Sequence, residues 1–191
     1  MLSEEKVLEI FKETDALLEG HFELSSGLHS PRYIQCARVL QYPDYASILC
    51  QELSKKLTHL KVNAVVGPAL GAVVVAHEMA RALKTRALFT ERKDDTMTLR
   101  RGFELGQGEK VLVVEDVVTT GGSTQEVIEL VQTMGAQVVA VAALVDRSRG
   151  KARFSVPMQA LIQIEAFTYP KEKCPLCQKK VPMDKPGSRK K

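Results

Sequence analysis

The sequence predicts an α/β fold, a parallel sheet with helices on both faces, and three observations carry that reading. Short apolar runs recur at V-N-A-V-V from Val62, R-A-L-F-T-E-R from Arg86, K-V-L-V-V-E-D from Lys110 and Q-V-V-A-V-A-A-L-V-D-R from Gln137. Near-continuous apolarity is the pattern of strands covered on both sides. Between the runs, stretches of roughly ten to a dozen residues switch to helical spacing, as crossovers between parallel strands require. The 191 residues suit one domain on a prior of ~150 residues each. A chain this long can bury roughly 70% of its unfolded surface without disulfide staples.

The elements follow in order. Ser3 suits an N-cap, and Glu4 and Glu5 suit the positive end of a helix. Val7, Leu8, Phe11 and Leu18 share one helical face, so the first helix is expected to run on until Gly20. Residues 21 to 40 begin rich in Ser and Gly, around S-S-G-L-H-S-P, and turn strand-like in R-Y-I-Q-C-A-R-V-L. Asp44 after Pro43 starts a second helix, with Ala46, Leu49, Cys50, Leu53 and Leu57 at spacings of three and four. The strand from Val62 runs into G-P-A-L-G-A and a helix reaching about Leu83. After the strand from Arg86 comes a polar loop, K-D-D-T-M-T-L-R-R-G. The strand from Lys110 is broken by T-T-G-G, and S-T-Q-E-V-I-E-L-V-Q-T-M forms a helix closed by Gly135 at its C′ position. From Tyr169 onward the chain is rich in Lys, Pro and Cys and reads as an extended appendage. No repeat of solenoid period occurs.

Composition excludes several function classes. Hydrophobic residues are 45% and charged residues 26%, a globular balance and not that of a disordered chain. Lys plus Arg is 27 and Asp plus Glu 23, a formal charge of +4, too small by itself to imply a nucleic-acid partner. No apolar run approaches the ~18 residues of a membrane helix, so no membrane partner is expected. The start, M-L-S-E-E-K, lacks the basic-then-apolar pattern of a secretory signal. Cys36 and Cys50 sit in apolar-periodic segments as small core residues, and the expected compartment is a reducing cytoplasm.

The stretch V-L-V-V-E-D-V-V-T-T-G-G-S-T, residues 111 to 124, carries the chemistry. Four apolar residues bury the strand, and Glu115 and Asp116 arrive at its carboxyl end, where open α/β sheets bind ligands. Ionised carboxylates only accept hydrogen bonds, so an adjacent pair suits the vicinal hydroxyls of a ribose. Thr119, Thr120, Gly121, Gly122 and Ser123 follow and open a helix. Glycines admit close backbone approach, and a helix N-terminus favours an anion. A ribose 5-phosphate fits both halves. The G-K-[ST] of a Walker A loop and the G-x-G-x-x-G of a Rossmann turn are both missing. A helix merely capped by Ser or Thr would leave two adjacent acids at a buried strand end unexplained.

E-D-V-V-T-T-G-G-S resembles the phosphoribosyl pyrophosphate (PRPP) signature of type I phosphoribosyltransferases. With H-F-E-L-S-S-G-L-H-S-P-R-Y-I-Q, V-V-G-P-A-L-G-A, F-T-E-R-K and L-V-D-R-S, the chain resembles orotate phosphoribosyltransferases over nearly its whole length. The resemblance implies a PRPP-binding core with a small hood, built from about residues 1–40 and 150–170, within one domain spanning 1–191 and ending in a basic Cys-containing tail, 170–191. It implies transfer of ribose 5-phosphate from PRPP to orotate, giving orotidine 5′-monophosphate and pyrophosphate in pyrimidine synthesis. Alternatives are another base (a purine or uracil) or a PRPP-sensing nucleic-acid-binding regulator, which would need neither the orotate-like N-terminal segment nor Arg147.

The resemblance also assigns roles. The loop Glu115, Asp116, Val117, Val118, Thr119, Thr120, Gly121, Gly122 and Ser123 would hold the ribose 5-phosphate, with Thr119 also beside the pyrimidine. Arg147 would meet orotate, Tyr33 and Ile34 would pack on its ring, and Arg92 would hold the pyrophosphate. Lys93 would reach the site of the partner in a homodimer that shares its loops. Asp116, Arg92 and Lys93 are the expected catalytic residues. Mg²⁺ is the expected cofactor, carried mainly by PRPP and not by protein ligands.

The chain departs from the long form of that family at four places. Ser25 stands where the long form has a lysine before S-G, Gly71 where it has one after G-P-A-x, and the loop D-D-T-M-T-L-R-R-G has neither its lysine nor its histidine. Arg100 and Arg101 are the remaining loop cations. His29 also replaces a lysine. With His21 it flanks the S-S-G segment, as a substrate-facing group or a hydrogen-bonded loop histidine. His59 and His77 are read as surface or packing residues on helices. C-P-L-C, Cys174 to Cys177, is a structural turn, half of a zinc site completed by a partner chain, or a labile disulfide, because no second pair stands within reach in the sequence. The closing run K-P-G-S-R-K-K is a solvated tail.

Overall fold

The computed structural model describes residues 2–24, 26–165 and 167–186. Ser25 and the end of the basic run therefore lie outside the described residues.

Helix α1, Glu4–Glu13, is capped by Ser3, whose hydroxyl accepts from the Lys6 N–H. It stops well short of Gly20. The Thr14 hydroxyl donates to the Ile10 carbonyl, Asp15 takes a left-handed φ of 52°, and Leu17–Glu23 becomes strand β1. Leu18 thus belongs to a strand and not to the helical face expected of it. Pairing with β2, His29–Ile34, prevails over a helical pattern that ran only one turn further. Strand character also ends at Ile34, because Ala37–Leu40 is a short helix, α2. Helix α3 is Pro43–Lys55, with Pro43 in its first turn. His59 lies in the turn beyond it, exposed and not helical.

Strand β3 (Ala64–Pro68), helix α4 (Gly71–Leu83), strand β4 (Arg86–Lys93), strand β6 (Lys110–Val118), helix α5 (Gly122–Thr133) and strand β7 (Gln137–Asp146) follow the expected alternation. Besides β1, two further strands were not anticipated. Strand β5, Thr96–Leu99, turns the polar loop after β4 into a hairpin, with Lys93 opposite Thr96. Asp94 and Asp95 form its tip, both at positive φ, as a two-residue turn with the twist of its strands requires. Strand β8, Met158–Gln163, closes the other edge.

The sheet order is β5-β4-β3-β6-β7-β8. Every pairing is parallel except β4 with β5. One core cluster packs α1, α3 and α4 on the sheet through residues such as Phe11, Leu49, Leu53 and Met79. The other packs α5 through Val127, Ile128 and Val131. Helices therefore cover both faces, and β6 lies between β3 and β7 inside the sheet. Its carboxyl end is where a ligand crevice belongs.

The β1–β2 hairpin is a separate two-stranded sheet, and the tail is not simply extended. A 3₁₀ turn, Lys171–Lys173, and a short helix α6, Pro175–Gln178, fold it back onto the hairpin. His29 and Tyr169 exchange both backbone hydrogen bonds on one edge. On the other, the Glu23 N–H donates to the Asp184 carbonyl and the Asp184 N–H to that of His21. No helix among the described residues is long and apolar enough to cross a membrane.

Candidate active site

A cleft of about 1630 Å³ opens at the carboxyl ends of β6 and β7, and Asp116, Thr119, Thr120, Arg147, Tyr33 and Ile34 all line it. Strand β6 delivers Glu115 and Asp116 together, as its apolar run predicts. Glu115 is buried and Asp116 half-buried. Burial first, and the neighbouring Asp116 charge second, push the Glu115 carboxyl up to about 8. Two adjacent carboxylates at a dry strand end resist double ionisation. Burial and the neighbouring carboxylate thus disfavour the charged form of Glu115, while Asp116 stands at the cleft. The Asp116 carboxylate is braced by the Val117 N–H, 2.8 Å away.

Beyond Asp116 the chain turns into α5. Its N-cap is Gly121, at φ 82°, and no side chain caps the helix. The merely capped helix considered from sequence is thus not what forms. Gln125 N–H donates to the Gly121 carbonyl, while the earlier N–H groups of the turn have no intrahelical acceptor and suit an anion. Gly121 is required twice over: its φ disfavours a side chain, and a Cβ there would stand 2.9 Å from the Phe154 ring. Gly122 and Ser123 are exposed, in the cradle but not among the cleft's lining.

Arg147 follows β7, its N–H donating to the Val118 carbonyl. Its Nε is buried and finds no hydrogen-bond partner, and burial pulls the guanidinium pKa below its usual value. Most buried polar groups are satisfied, so an orphaned cationic donor at a cleft wall points to an anionic or carbonyl-bearing ligand. Tyr33 donates its hydroxyl to Gln35 at 3.1 Å and stacks near Phe22, ring centroids 5.8 Å apart.

Comparison with known proteins agrees with this geometry. The family described as Phosphoribosyl transferase domain matches residues 44–165. The orotate phosphoribosyltransferase of Caldanaerobacter subterraneus is 52% identical over 99% of this chain and 100% of its own, and that of Carboxydothermus hydrogenoformans 57% identical over 95% and 96%. The chain belongs to the orotate phosphoribosyltransferase family. Among solved structures, the family member from Aeropyrum pernix superposes with a TM-score of 0.73 at 28% identity, covering 83% of this chain and 93% of its own. The Mycobacterium tuberculosis enzyme, solved with inorganic phosphate, gives 0.66 at 26% over 83% and 94%. This chain is accordingly a phosphoribosyltransferase, with the α/β fold its sequence implied.

In this family member the expected pyrophosphate cations lie apart from the cleft lining. Arg92 pairs with Glu126 of α5 at 2.7 Å and donates to the Asp95 carbonyl. Lys93 is exposed at the end of β4, and Arg101 forks onto Glu91 at 2.8 and 3.0 Å. The β4–β5 hairpin thus carries its cations outward.

Sequence reasoning marked Gly71 only as a missing lysine; the structure supplies a reason for glycine. A Cβ at Gly71 would stand 2.8–2.9 Å from the Asp116 carboxylate, so the start of α4 seats that group closely. Cys36 is a buried core residue, as its segment predicts, and also borders the site. Its thiol lies 3.8 Å from the Asp116 carbonyl, and burial raises its pKa well above the ordinary value, so it is no thiolate nucleophile. Neither neighbour of Asp116 follows from local spacing, because both contacts are made across the fold.

Proposed function

We propose that this chain transfers the 5-phosphoribosyl group of PRPP to N1 of orotate, forming orotidine 5′-monophosphate and pyrophosphate in pyrimidine synthesis. The observation that carries the reading is one cleft holding Asp116, Thr119, Thr120 and Arg147, whose buried Nε has no hydrogen-bond partner. The first turn of α5, with Thr119 to Ser123, receives the 5-phosphate through backbone N–H groups. Asp116 accepts from the ribose hydroxyls, with Glu115 beside it at the end of the strand. Arg147 offers its fork to the carboxylate and carbonyl oxygens of orotate, and Tyr33 and Ile34 cover the ring.

Displacement at the anomeric carbon develops positive charge on the sugar and negative charge on the departing pyrophosphate. Catalysis is then mostly positioning and charge stabilisation. Mg²⁺ bound with PRPP neutralises phosphate oxygens; the half-buried Asp116 carboxylate is a hard oxygen donor that fits such an ion. Arg92 and Lys93 attend the pyrophosphate, with Lys93 serving the partner's site in a homodimer. The outward-facing hairpin supports this sharing. One domain with a hood from residues 1–40 and 150–170, acting in the cytoplasm, completes the reading.

The test is incubation with PRPP, Mg²⁺ and each base in turn. Consumption of orotate alone, with release of pyrophosphate, is expected. Turnover of a purine or uracil but not of orotate would overturn the substrate assignment.

A further inference from the structure

We propose that His21, His29, Cys174 and Cys177 form a structural zinc site that fastens the C-terminal tail to the β1–β2 hairpin. The four side chains come from opposite ends of the sequence, yet their ligand atoms all lie within 4.8 Å of one another. Each half is built for convergence. Cys174 is the N-cap of α6 and Cys177 lies on that turn, so the C-x₂-C spacing turns both thiols to one side. On the hairpin, His29 pairs with Glu23, two residues beyond His21, and a register shift between Glu19 and Phe22 interrupts the alternation at His21, which is buried beside His29. The two imidazoles meet there, with centroids 4.9 Å apart.

The distances are those of a ligand shell. His21 Nε2 lies 3.6 Å from Cys174 Sγ and 3.7 Å from Cys177 Sγ, and His29 Nδ1 lies 3.3 Å from Cys177 Sγ. Zn–S bonds of about 2.3 Å and Zn–N bonds of about 2.05 Å, set tetrahedrally, put sulfur and nitrogen about 3.6 Å apart. The two nitrogens are 2.9 Å apart, inside the roughly 3.3 Å such a shell requires, so the rings would part slightly around an ion.

The tautomer also fits. His21 Nδ1 faces the Val181 carbonyl at 2.9 Å. A carbonyl only accepts, so Nδ1 carries the proton and Nε2 turns its lone pair inward. This is the outer-sphere bond that orients metal-bound histidines. His21, His29 and Cys174 are 3%, 2% and 0% exposed, so water does not satisfy these donors. Two thiolates and two imidazoles are a soft, tetrahedral set that selects zinc over magnesium or calcium. Two thiolates against Zn²⁺ leave the buried site neutral. Four protein ligands leave no open position, which makes the site structural and not catalytic.

Its position gives it a consequence. The isolated bridges that tie the tail to the hairpin, His29 with Tyr169 and Phe22 with Asp184, flank the cluster, and Glu23, Leu24, Thr168 and Lys185 line the cleft. The ion would hold that wall of the cleft to the hairpin, independently of which base the cleft accepts.

The test is the metal content of the full-length protein, purified without chelator. One zinc per chain is expected, released when a mercurial reagent titrates the thiols. Cobalt exchanged into the protein should show the visible absorption of a tetrahedral thiolate site. Cys174→Ser and Cys177→Ser should reduce zinc to background, lower Tm and expose the tail to protease, while Cys50→Ser retains the metal. Should the serine variants fail to fold, mercurial release from the unmodified chain decides the matter by itself. A protein that neither holds zinc nor takes up cobalt, a Cys174–Cys177 disulfide in peptide mass spectra, or zinc retained in both serine variants would overturn the assignment.

Discussion

Replacing Arg147 by methionine should separate stability from substrate binding. The Arg147 Nε is buried without a partner, and burial already disfavours the guanidinium charge. A buried unsatisfied donor costs ~1–3 kcal/mol. Methionine preserves much of the apolar stem without the donor, so we expect the ligand-free variant to gain ~1–2 kcal/mol. At about 2–4 °C per kcal/mol for a chain of this size, Tm should rise by roughly 2–8 °C. The same change removes the charged partner of orotate, worth ~1.5–3 kcal/mol, so orotate should bind about ten- to a hundredfold more weakly. PRPP affinity should hold within about twofold, since the ribose and phosphate groups meet other residues. Differential scanning calorimetry and titration calorimetry with each substrate read both halves. A Tm that falls, together with unchanged orotate affinity, would show that Arg147 is a packing residue whose charge the fold satisfies. Loss of PRPP with orotate retained would reverse the two half-sites.

Three further predictions follow from the same geometry. Glu115 titrates near 8 in the folded chain and near its ordinary value when unfolded. Between those values only the unfolded state releases the proton, so this group lowers stability as pH rises from about 4.5 to about 8. Glu115→Gln should flatten that slope in urea melts across the window, and parallel slopes for the two proteins would remove the neutral-acid assignment. Gly71→Ala should turn the Asp116 carboxylate aside and raise the PRPP KM roughly tenfold, with Tm little changed; an unaltered KM would mean the close approach has no role in binding. For the shared hairpin, mixing inactive Asp116→Asn chains with inactive Lys93→Ala chains should restore activity on subunit exchange. No recovery in confirmed mixed dimers, or a fully active monomer, would place Lys93 in its own chain's site.

Much of this protein is legible in the sequence because the determining forces are local. Four apolar residues before Glu115 and Asp116 specify a buried strand ending in acids, and the T-T-G-G turn specifies the anion cradle that follows. Arg147 is singled out not by a local force but by the resemblance of L-V-D-R-S to the family. Local pattern failed where strand pairing competes with helix. Leu18 continues a helical face by spacing, but the partner strand His29–Ile34 claims it, and a partner some fifteen residues away leaves no periodic mark. The Asp94–Asp95 turn is similar: only its strand partner shows that K-D-D-T-M-T is a hairpin and not a loop.

The tertiary structure alone decided everything that depends on burial or on distant contact. The raised pKa of Glu115 comes from a buried strand end, and the close approach that favours glycine at position 71 comes from Asp116 across the fold. The grouping of His21 and His29 with Cys174 and Cys177 joins residues 145 to 156 apart in the chain. C-P-L-C alone is half of a ligand set. Sequence spacing measures distance along the backbone, whereas a coordination shell is made by distance in space, and only the folded hairpin and tail bring the other half within reach.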